Sequence, residues 1–388
     1  METKLYSMVP LLQAAERASL KTDFGRAIGA YNVNFYAQAE GILRGGIETD
    51  APLIIQSSRG ANEFQGSPKT IRDMVLLAAK KINQDVIFSF HLDHGTEDAA
   101  KDCCNNGFSS VMIDASKHDF ATNVEITRRI VEYAHSRGIS VEGEYGILAG
   151  VEEDVVAAAS VYADPKKVVE FFQQTGADAL AAAYGTSHGP NKGKTSELSL
   201  GVVGDSYRRL VKAEMNHNHF LVSHGSSRVP PEFVKLINNY GGGLKGTSGV
   251  PGYMISRAIQ LGIRKVNIDT DLRLAMTGAT RKLLYETRPD LAKKSELVGM
   301  IKAIFDGKIK AYDKDKQVVN QSQITDPRSW LKPIMEQAPE MLRTDYMESG
   351  DQSFIILNKL LAKTVAKHVA SLNREFGSAG LAEDVDIS

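Results

Sequence analysis

Three histidines in this 388-residue sequence, His94, His188 and His224, each stand directly before a glycine. Glycine lets the backbone turn sharply, so an imidazole beside it can project into a shared site. Three neutral imidazoles with one open coordination position are the ligand set of a catalytic zinc ion, which polarises a bound oxygen as a Lewis acid. The sequence therefore predicts a zinc site at these three side chains, with Glu144 as a further or alternating ligand.

A fourth histidine, His91, competes with His94 for the role of ligand. Its earlier position in an apolar run and the alternation of side chains along a strand predict a buried, hydrogen-bonded residue instead. Four further histidines fall in predicted helices or loops or at the start of a strand, where a histidine is more often structural than functional. We assign no function to His118, His135, His217 and His219.

Eight short apolar runs, separated by stretches of helical period, are predicted to position these side chains. The runs span residues 27–34, 52–58, 85–93, 109–115, 140–145, 179–185, 219–225 and 265–269. Their alternation with helical stretches predicts an α/β fold, a (β/α)8 TIM barrel, over residues 1–290. An open doubly wound sheet is the alternative, but no G-x-G-x-x-G motif follows the first run.

Local signals mark helix starts and two departures from the barrel pattern. Ser67 and Asp164 each precede a proline, which is typical of an N-cap followed by the first helical residue. Residues 239–252 are too rich in glycine for a helix and predict an insertion in a crossover. After residue 290 the strands cease, which predicts a C-terminal helical extension over residues 291–388, packed on the barrel or on a neighbouring subunit.

Polar side chains follow nearly every predicted strand. The carboxyl ends of the strands of a barrel converge on one pocket, so groups far apart in sequence meet there. Each group alone is readily a helix cap or a structural residue, but together they predict an active site. Besides the three histidines and Glu144, the set comprises Asn32, Ser58, Asp93, Asp114, Asn267 and Asp269.

The last two strand ends favour phosphate binding. The segments SHGSS at 223–227 and NIDTD at 267–271 combine small residues, free backbone amides and helix starts. Barrels often bind phosphate after their seventh and eighth strands. The sequence therefore predicts a small phosphorylated substrate.

Composition argues against several other classes of function. The net charge is -1 and no long basic run occurs, so nothing indicates a nucleic-acid or polybasic membrane partner. No segment has the roughly 20 apolar residues needed to span a membrane, and no signal peptide is evident. The only cysteines, Cys103 and Cys104, are adjacent, which argues against a structural disulfide within the chain. We therefore expect a cytoplasmic protein with neither a nucleic-acid nor a membrane partner.

At these residues the sequence closely resembles the class II, metal-dependent fructose-bisphosphate aldolases, particularly the longer branch with an insertion before the last strand. The motifs HLDHG, SSVMIDAS, SVEGEYG with VEED, GTSHG, SHGSS and VNIDTD occur in the family's order, and DPRSWL at 326–331 matches weakly. The resemblance implies a lyase of glycolysis and gluconeogenesis that cleaves fructose 1,6-bisphosphate reversibly to dihydroxyacetone phosphate and glyceraldehyde 3-phosphate. It also implies a homodimer or homotetramer, with a monovalent cation as an optional activator besides zinc.

The resemblance also implies a role for each matching residue. Zinc would be bound by His94, His188 and His224, with Glu144 near the metal. Asp93 would exchange a proton with the C4 hydroxyl, and Glu153, in preference to its neighbour Glu152, would move the dihydroxyacetone phosphate proton. The residues that orient the ketose would be Asn32, Ser58 and Asp114. One phosphate would be surrounded by Gly189, Gly225, Ser227, Asn267, Asp269 and Thr270, and the second, in a neighbouring subunit, would be reached by Arg328.

Two departures from the family pattern leave the exact sugar open. The chain reads GPNKGK where the family commonly has a tyrosine before the lysine, and Thr122 stands where a glutamate is usual. Tagatose 1,6-bisphosphate, which differs from the fructose compound only at C4, is therefore an alternative substrate.

Three other chemistries compete with a zinc aldolase. A Schiff-base aldolase needs an amine in the upper half of a strand, but Lys265 begins the eighth run at the wrong end and Lys192, Lys194 and Lys245 fall in loops. A metal-dependent hydrolase would activate water and would not need paired phosphate sites. A non-catalytic metal-binding barrel protein is the third alternative.

Overall fold

A closed barrel of eight parallel strands forms the centre of the computed structural model, which describes residues 4–147, 150–152, 155–157, 161–187, 198–312 and 317–387. Each strand pairs with the next along the chain, and the eighth pairs with the first. This confirms the predicted TIM barrel. The strands are β1 Ile28–Asn32, β2 Leu53–Ser58, β3 Phe88–Gly95, β4 Ser110–Ile113, β5 Ser140–Tyr145, β6 Ala179–Ala182, β7 Phe220–Ser223 and β8 Ile263–Ile268.

Helices connect the strands and surround the barrel. The first eleven are α1 Met8–Leu20, α2 Tyr36–Thr49, α3 Arg59–Gln65, α4 Pro68–Ile82, α5 Glu97–Asn105, α6 Phe120–His135, α7 Pro165–Thr175, α8 Leu200–Lys212, α9 Pro231–Asn239, α10 Gly252–Gln260 and α11 Thr270–Lys282. The later ones are α12 Leu291–Lys294, α13 Glu296–Phe305, α14 Pro327–Gln337, α15 Glu340–Arg343 and α16 Gln352–Phe376.

Short elements complete the chain. A π-helical turn, Leu283–Thr287, follows α11, and 3-10 turns span Gln321–Gln323, Tyr346–Glu348 and Ala382–Asp384. Two antiparallel hairpins pair Gly150–Glu152 with Val155–Ala157 and Ala311–Tyr312 with Val318–Val319. Across the described ranges, none of the helices combines the length and apolar character that a membrane crossing requires.

The predicted helix starts are confirmed by their capping hydrogen bonds. The side chain of Ser67 accepts from the amide of Thr70, and that of Asp164 accepts from the amide of Lys166. Each supplies an acceptor to a helical N–H that has no partner within the helix. In both cases proline occupies the first helical position, where no N–H is needed.

The C-terminal helices continue the hydrophobic core of the barrel. Helix α16 packs closely on α2, and glycine is needed at the contact. A Cβ atom at Gly41 would lie 2.6 Å from Val365, and one at Gly45 would lie 2.7 Å from Val369. Residues 240–251, between α9 and α10, contain neither helix nor strand, as the glycine content indicated. The division into a barrel over 1–290 and an extension over 291–388 stays a prediction.

Helix α1 closes the amino-terminal end of the barrel. Its apolar residues pack with inward-facing residues of the strands, including Ile28, Ile54 and Phe220. The same helix carries Glu16, which is 1% exposed and forms a 2.5 Å ion pair with Arg264. The Glu16 carboxylate also accepts hydrogen bonds from Tyr207 and Asn216 at 2.6 and 2.7 Å.

We expect Glu16→Ala to lower the free energy of unfolding by about 3–5 kcal/mol, because Arg264 would keep a buried charge without its partner. Urea denaturation followed by circular dichroism measures the change. The control is Glu125→Ala, which removes one exposed partner of Arg129 on the surface of α6 and should leave the midpoint close to that of the wild type. Equal midpoints for the two variants would contradict the prediction.

Candidate active site

Two of the three predicted histidine ligands meet at the carboxyl-terminal end of the barrel. His94 lies near the end of β3 and His224 directly follows β7. The Nε2 atom of His94 lies 2.9 Å from the Nδ1 atom of His224, and the ring planes are nearly perpendicular at 84°. Both residues are buried. Two imidazole nitrogens that face each other at this distance are suited to share one cation.

The glycines after these histidines are required for two different reasons. Gly225 has a φ of +61°, and a Cβ atom there would lie 2.6 Å from the carbonyl oxygen of Ser187. At the other site His94 itself has the positive φ, 51°, while a Cβ atom at Gly95 would lie 2.7 Å from the carbonyl oxygen of Met112. The His-Gly pattern thus reflects a sharp turn in one case and a close backbone approach in the other.

Two carboxylates lie beside the other nitrogen of His94. Its Nδ1 atom is 3.4 Å from Asp114 Oδ2 and 3.6 Å from Glu144 Oε2. Within the described chain, two sets of side chains have donor atoms close enough to hold a metal ion, and both sets contain His94. One comprises Asp93, His94 and His224, and the other comprises His94, Asp114 and Glu144.

Asp93 is held by three amide groups. The side chains of Asn32 and Gln56 donate to its Oδ2 atom at 2.9 and 3.1 Å, and Asn267 donates to Oδ1 at 3.2 Å. Asp93 is 1% exposed, so these donors replace the water that a carboxylate would otherwise bind. Gln56 was missed in the sequence, although a glutamine inside the apolar run PLIIQSS, two residues before Ser58, was a signal for it.

Burial and charge act in opposite directions on several ionisable groups here. Burial raises the pKa of Asp93, but nearby positive charge, foremost that of His94, and the hydrogen bond from Asn32 keep the pKa below its usual value. Burial lowers the pKa of His94, yet the hydrogen bond to Asp114 and the other nearby carboxylates raise it to about 10. Burial and the charge of Asp114 raise the pKa of Glu144 well above its usual value. A surplus of buried negative charge therefore favours a bound cation.

A second group of buried charges lies beneath these residues. Glu142 Oε1 is 2.6 Å from His224 Nε2, and Glu142 Oε2 is 2.8 Å from the ammonium of Lys265. His91 Nε2 lies 3.6 Å from the same Oε2 atom, and His91 Nδ1 is hydrogen-bonded to Ser110 at 2.7 Å. Burial lowers the pKa of His91 to about 3. The prediction that His91 is a buried, hydrogen-bonded residue is confirmed.

The predicted start of the last barrel strand, at residue 265, was wrong. Strand β8 begins at Ile263, two residues before the predicted start, so Lys265 lies within the strand. Its side chain is fully buried in the barrel, and its amine donates to Glu142. The amine is therefore inside the barrel, engaged with a carboxylate.

The loops after β7 and β8 approach each other where phosphate binding is predicted. The Ser227 hydroxyl accepts from the amide of Asp269 at 3.3 Å, and Thr270 begins α11. Asp271 accepts from the amides of Arg228 and Val229 at 3.0 and 2.7 Å and so holds the loop after β7. Asp271 was missed as a supporting residue, although it belongs to the NIDTD segment. Ser58, at the end of β2, caps α3 by accepting from the amide of Ala61.

Arg328 lies in a chain of alternating charges within its own subunit. It pairs with Asp326 at 2.9 Å, Asp326 pairs with Arg273 at 2.9 Å, and Arg273 Nε donates to Asp269 at 2.7 Å. Arg273 was missed, although an arginine four residues after an aspartate on a helix is a typical ion-pair spacing. The reach of Arg328 to a neighbouring subunit stays a prediction.

Three predicted site residues, His188, Gly189 and Glu153, lie outside the described residues. The backbone nevertheless reaches Ser187, whose carbonyl approaches Gly225 beside His224. Glu152 lies in the first strand of the hairpin that follows β5. Arg328 lies on α14, and the other predicted residues lie at the carboxyl-terminal ends of barrel strands or in the segments that directly follow them.

Comparison with known proteins gives a consistent result. The sequence pattern described as "Fructose-bisphosphate aldolase class-II" matches residues 11–352. The plasmid fructose-bisphosphate aldolase of Cupriavidus necator is 40% identical over 312 residues, which are 75% of this chain and 88% of that protein. The fructose-bisphosphate aldolase of Giardia intestinalis is 43% identical over 265 residues, 67% of this chain and 78% of that protein.

Solved structures share the fold. The fructose-bisphosphate aldolase of Campylobacter jejuni superposes with a TM-score of 0.62 at 18% identity, covering 100% of this chain and 98% of the other. The YdjI aldolase of Escherichia coli gives a TM-score of 0.58 at 22% identity, covering 95% and 98%. The family match spans most of the sequence and includes the paired histidines and Asp93 at the barrel mouth. The chain belongs to the class II fructose-bisphosphate aldolase family.

Proposed function

We propose that this protein is a zinc-dependent aldolase that cleaves fructose 1,6-bisphosphate reversibly to dihydroxyacetone phosphate and glyceraldehyde 3-phosphate. The observation that carries the proposal is the 2.9 Å approach of His94 and His224 beside the buried carboxylate of Asp93. Membership of a metal-dependent aldolase family and the names of the relatives support the reaction and the substrate.

The residues present fit a divalent cation. Glu144 Oε2 is buried and accepts no hydrogen bond from the described residues, and a carboxylate oxygen in that position calls for a cation or a proton. Two imidazoles are at hand, and we assign the third ligand to His188, with Glu144 as the alternating one. Neutral imidazoles with an open position favour zinc. When bound, zinc supplies a Lewis acid that withdraws electron density from the ketose carbonyl.

Asp93 is the group that we assign to the C4 hydroxyl proton. The three amides that donate to it orient it, and nearby positive charge keeps its pKa low, so it can accept that proton as the bond between C3 and C4 breaks. In the reverse direction the same carboxyl returns the proton. We assign to Glu153 the proton that is exchanged at C3 of dihydroxyacetone phosphate.

The remaining assignments concern substrate binding. Asn32, Ser58 and Asp114 orient the ketose, although Asn32 already donates to Asp93 and therefore acts partly through it. One phosphate lies among backbone amides and hydroxyls of the loops that follow β6, β7 and β8. The residues in this group are Gly189, Gly225, Ser227, Asn267, Asp269 and Thr270. Arg328 binds the second phosphate.

Assembly and location complete the proposal. We infer a homodimer or homotetramer, because Arg328 is assigned to a neighbouring subunit's substrate, with a monovalent cation as activator. Both cysteines, Cys103 and Cys104, are buried free thiols, which fits a reducing cytoplasm. Tagatose 1,6-bisphosphate, which differs from fructose 1,6-bisphosphate only at C4, is the second candidate substrate.

Zinc should stabilise the metal-free protein. At free zinc a thousandfold above Kd the gain is about 4 kcal/mol, because the ion binds only the folded chain. Thermal unfolding of chelator-treated protein, with and without zinc, measures it. His94→Ala should lose this gain in stability. His135→Ala is the control and should keep it, because His135 lies at the end of α6 and its hydrogen-bond partner is Asp178. An undiminished gain in His94→Ala would contradict the site.

Cleavage of fructose 1,6-bisphosphate should stop after chelation and return with zinc. Borohydride added with dihydroxyacetone phosphate should leave activity and mass unchanged, because Lys265 is engaged with Glu142. Coupled assays for both triose phosphates and for free inorganic phosphate measure the outcome, with tagatose 1,6-bisphosphate as a parallel substrate. A reduced adduct on Lys265 would indicate Schiff-base chemistry, and release of inorganic phosphate would indicate a hydrolase.

Asp93→Ala should lower kcat by 10²-fold to 10⁴-fold, about 3–5 kcal/mol, because the C4 hydroxyl loses its proton acceptor. Steady-state kinetics and zinc content per subunit are measured together. Asp98→Ala, at an exposed position near the start of α5, is the control and should match the wild type. Wild-type turnover in Asp93→Ala would remove Asp93 from the mechanism, whereas loss of zinc would make it a ligand instead of a base.

A further inference from the structure

We propose that Glu142 and Lys265 act as a positioning pair that holds the His224 imidazole with its Nδ1 atom toward the metal site. This inference rests on the proposed metal-dependent function. Neither residue is assigned to substrate or metal, yet both are fully buried beneath the site. The pair acts through His224 and does not touch the reacting atoms.

The hydrogen bond between Glu142 and His224 determines which ring nitrogen carries the proton. A carboxylate only accepts hydrogen bonds, so His224 Nε2, 2.6 Å from Glu142 Oε1, must be the N–H donor. A neutral imidazole has one N–H, which leaves the lone pair on Nδ1. Nδ1 is the atom that lies 2.9 Å from His94 Nε2. Glu142 therefore directs the ligating lone pair of His224 toward His94.

Lys265 holds the orientation of the Glu142 carboxylate, which in turn orients the His224 ring. Its ammonium lies 2.8 Å from Glu142 Oε2, the oxygen that His224 does not use. Two contacts on two oxygens set the rotation of the carboxylate plane, and the ammonium offsets the cost of burying the negative charge. His91 Nε2 lies 3.6 Å from Oε2, and the Asn267 amide nitrogen lies 3.4 Å from His224 Nδ1, the nitrogen that carries the lone pair. Polar groups therefore surround the pair on several sides.

The strand period explains how this group comes to lie beneath the site. Side chains two residues apart on a strand face the same side, so each inward-facing residue has a lower neighbour in the barrel interior. Glu142 lies two residues before Glu144, Lys265 two before Asn267, and His91 two before Asp93.

The interior layers of TIM barrels are usually filled by bulky branched apolar residues. Placing an acid, an amine and an imidazole there costs desolvation energy that apolar residues would avoid. A role in positioning His224 would explain why these polar residues occur there despite the desolvation cost. Carboxylate partners of metal-bound histidines orient the ring, and their loss typically weakens metal affinity 10-fold to 100-fold.

Two double variants separate positioning from mere packing. Glu142→Ala with Lys265→Met removes the acceptor and both charges together, so no buried charge is left alone. Glu142→Gln with Lys265→Met also removes both charges but keeps an acceptor oxygen for His224. Zinc affinity is measured by competition with a chromophoric chelator, and ligand geometry by the absorption spectrum of the Co²⁺-loaded protein.

The Ala/Met variant should bind zinc about 10-fold to 100-fold more weakly and show an altered Co²⁺ spectrum. The Gln/Met variant should recover most of the affinity and the wild-type spectrum. Wild-type affinity in the Ala/Met variant would overturn the inference. Equal weakening in both variants would overturn it too, because the acceptor oxygen would then be irrelevant.

His224→Ala distinguishes failure of this inference from failure of the proposed function. If the wild type binds zinc no better than His224→Ala, the metal site itself is wrong. If His224→Ala loses zinc while the Ala/Met variant retains it, only the positioning role is wrong.

A second measurement needs no substitution at Glu142. It is the ¹⁵N spectrum of the zinc-loaded wild type labelled at histidine, with His224→Ala used to assign the His224 signals. Zinc on Nδ1 of His224 is expected, and zinc on Nε2 would overturn the inference.

Discussion

Desolvation of charge inside a closed barrel limits how this chain can fold, because a buried ion costs several kcal/mol unless a partner of opposite sign lies beside it. Two successive residues of β8, whose side chains point to opposite faces of the strand, each have such a partner. Arg264 pairs with Glu16 of the helix that closes the barrel, and Lys265 pairs with Glu142 in the interior. The first pair ties α1 to the barrel, and the second lies beneath His224. Stability and the arrangement of the active site thus depend on the same kind of contact.

The glycine-rich stretch and the last helix both contact the loop after β7. The amide of Val250 donates to the carbonyl of Ser227 at 3.2 Å, and a Cβ atom at Gly249 would overlap the carbonyl of Arg228. Glu375 of α16 pairs with Arg228. Val229 in the same loop has a φ of 49°, an unfavourable conformation for a β-branched residue that costs of order 1–3 kcal/mol. Segments outside the barrel pattern therefore hold a strained loop at the predicted phosphate site.

The strands and the strand-end residues were predictable because β/α alternation and polar strand ends are local patterns. The sequence located every barrel strand and placed Asn32, Asp93 and His94 at one mouth. Two contacts were not predictable from such local patterns. Gln56 approaches Asp93 because the register of the strands places Gln56 opposite Asn32 of β1 and opposite His91 of β3, two residues before Asp93. Asp271 accepts from amides 42 and 43 residues away, a pairing that no local pattern encodes.

The misplacement of Lys265 shows how a small error in a strand boundary changes a chemical argument. A start at 265 makes the lysine the first residue of the strand, at the mouth opposite to the site, whereas the observed start at Ile263 brings it inside. An amine within a barrel invites comparison with Schiff-base aldolases, which need that amine free to attack a carbonyl. Here Lys265 donates to Glu142 and lies two residues, about 6.6 Å along the strand, below Asn267. Its buried carboxylate partner, rather than its position alone, therefore suits this lysine to orienting a metal ligand instead of forming a bond to the substrate.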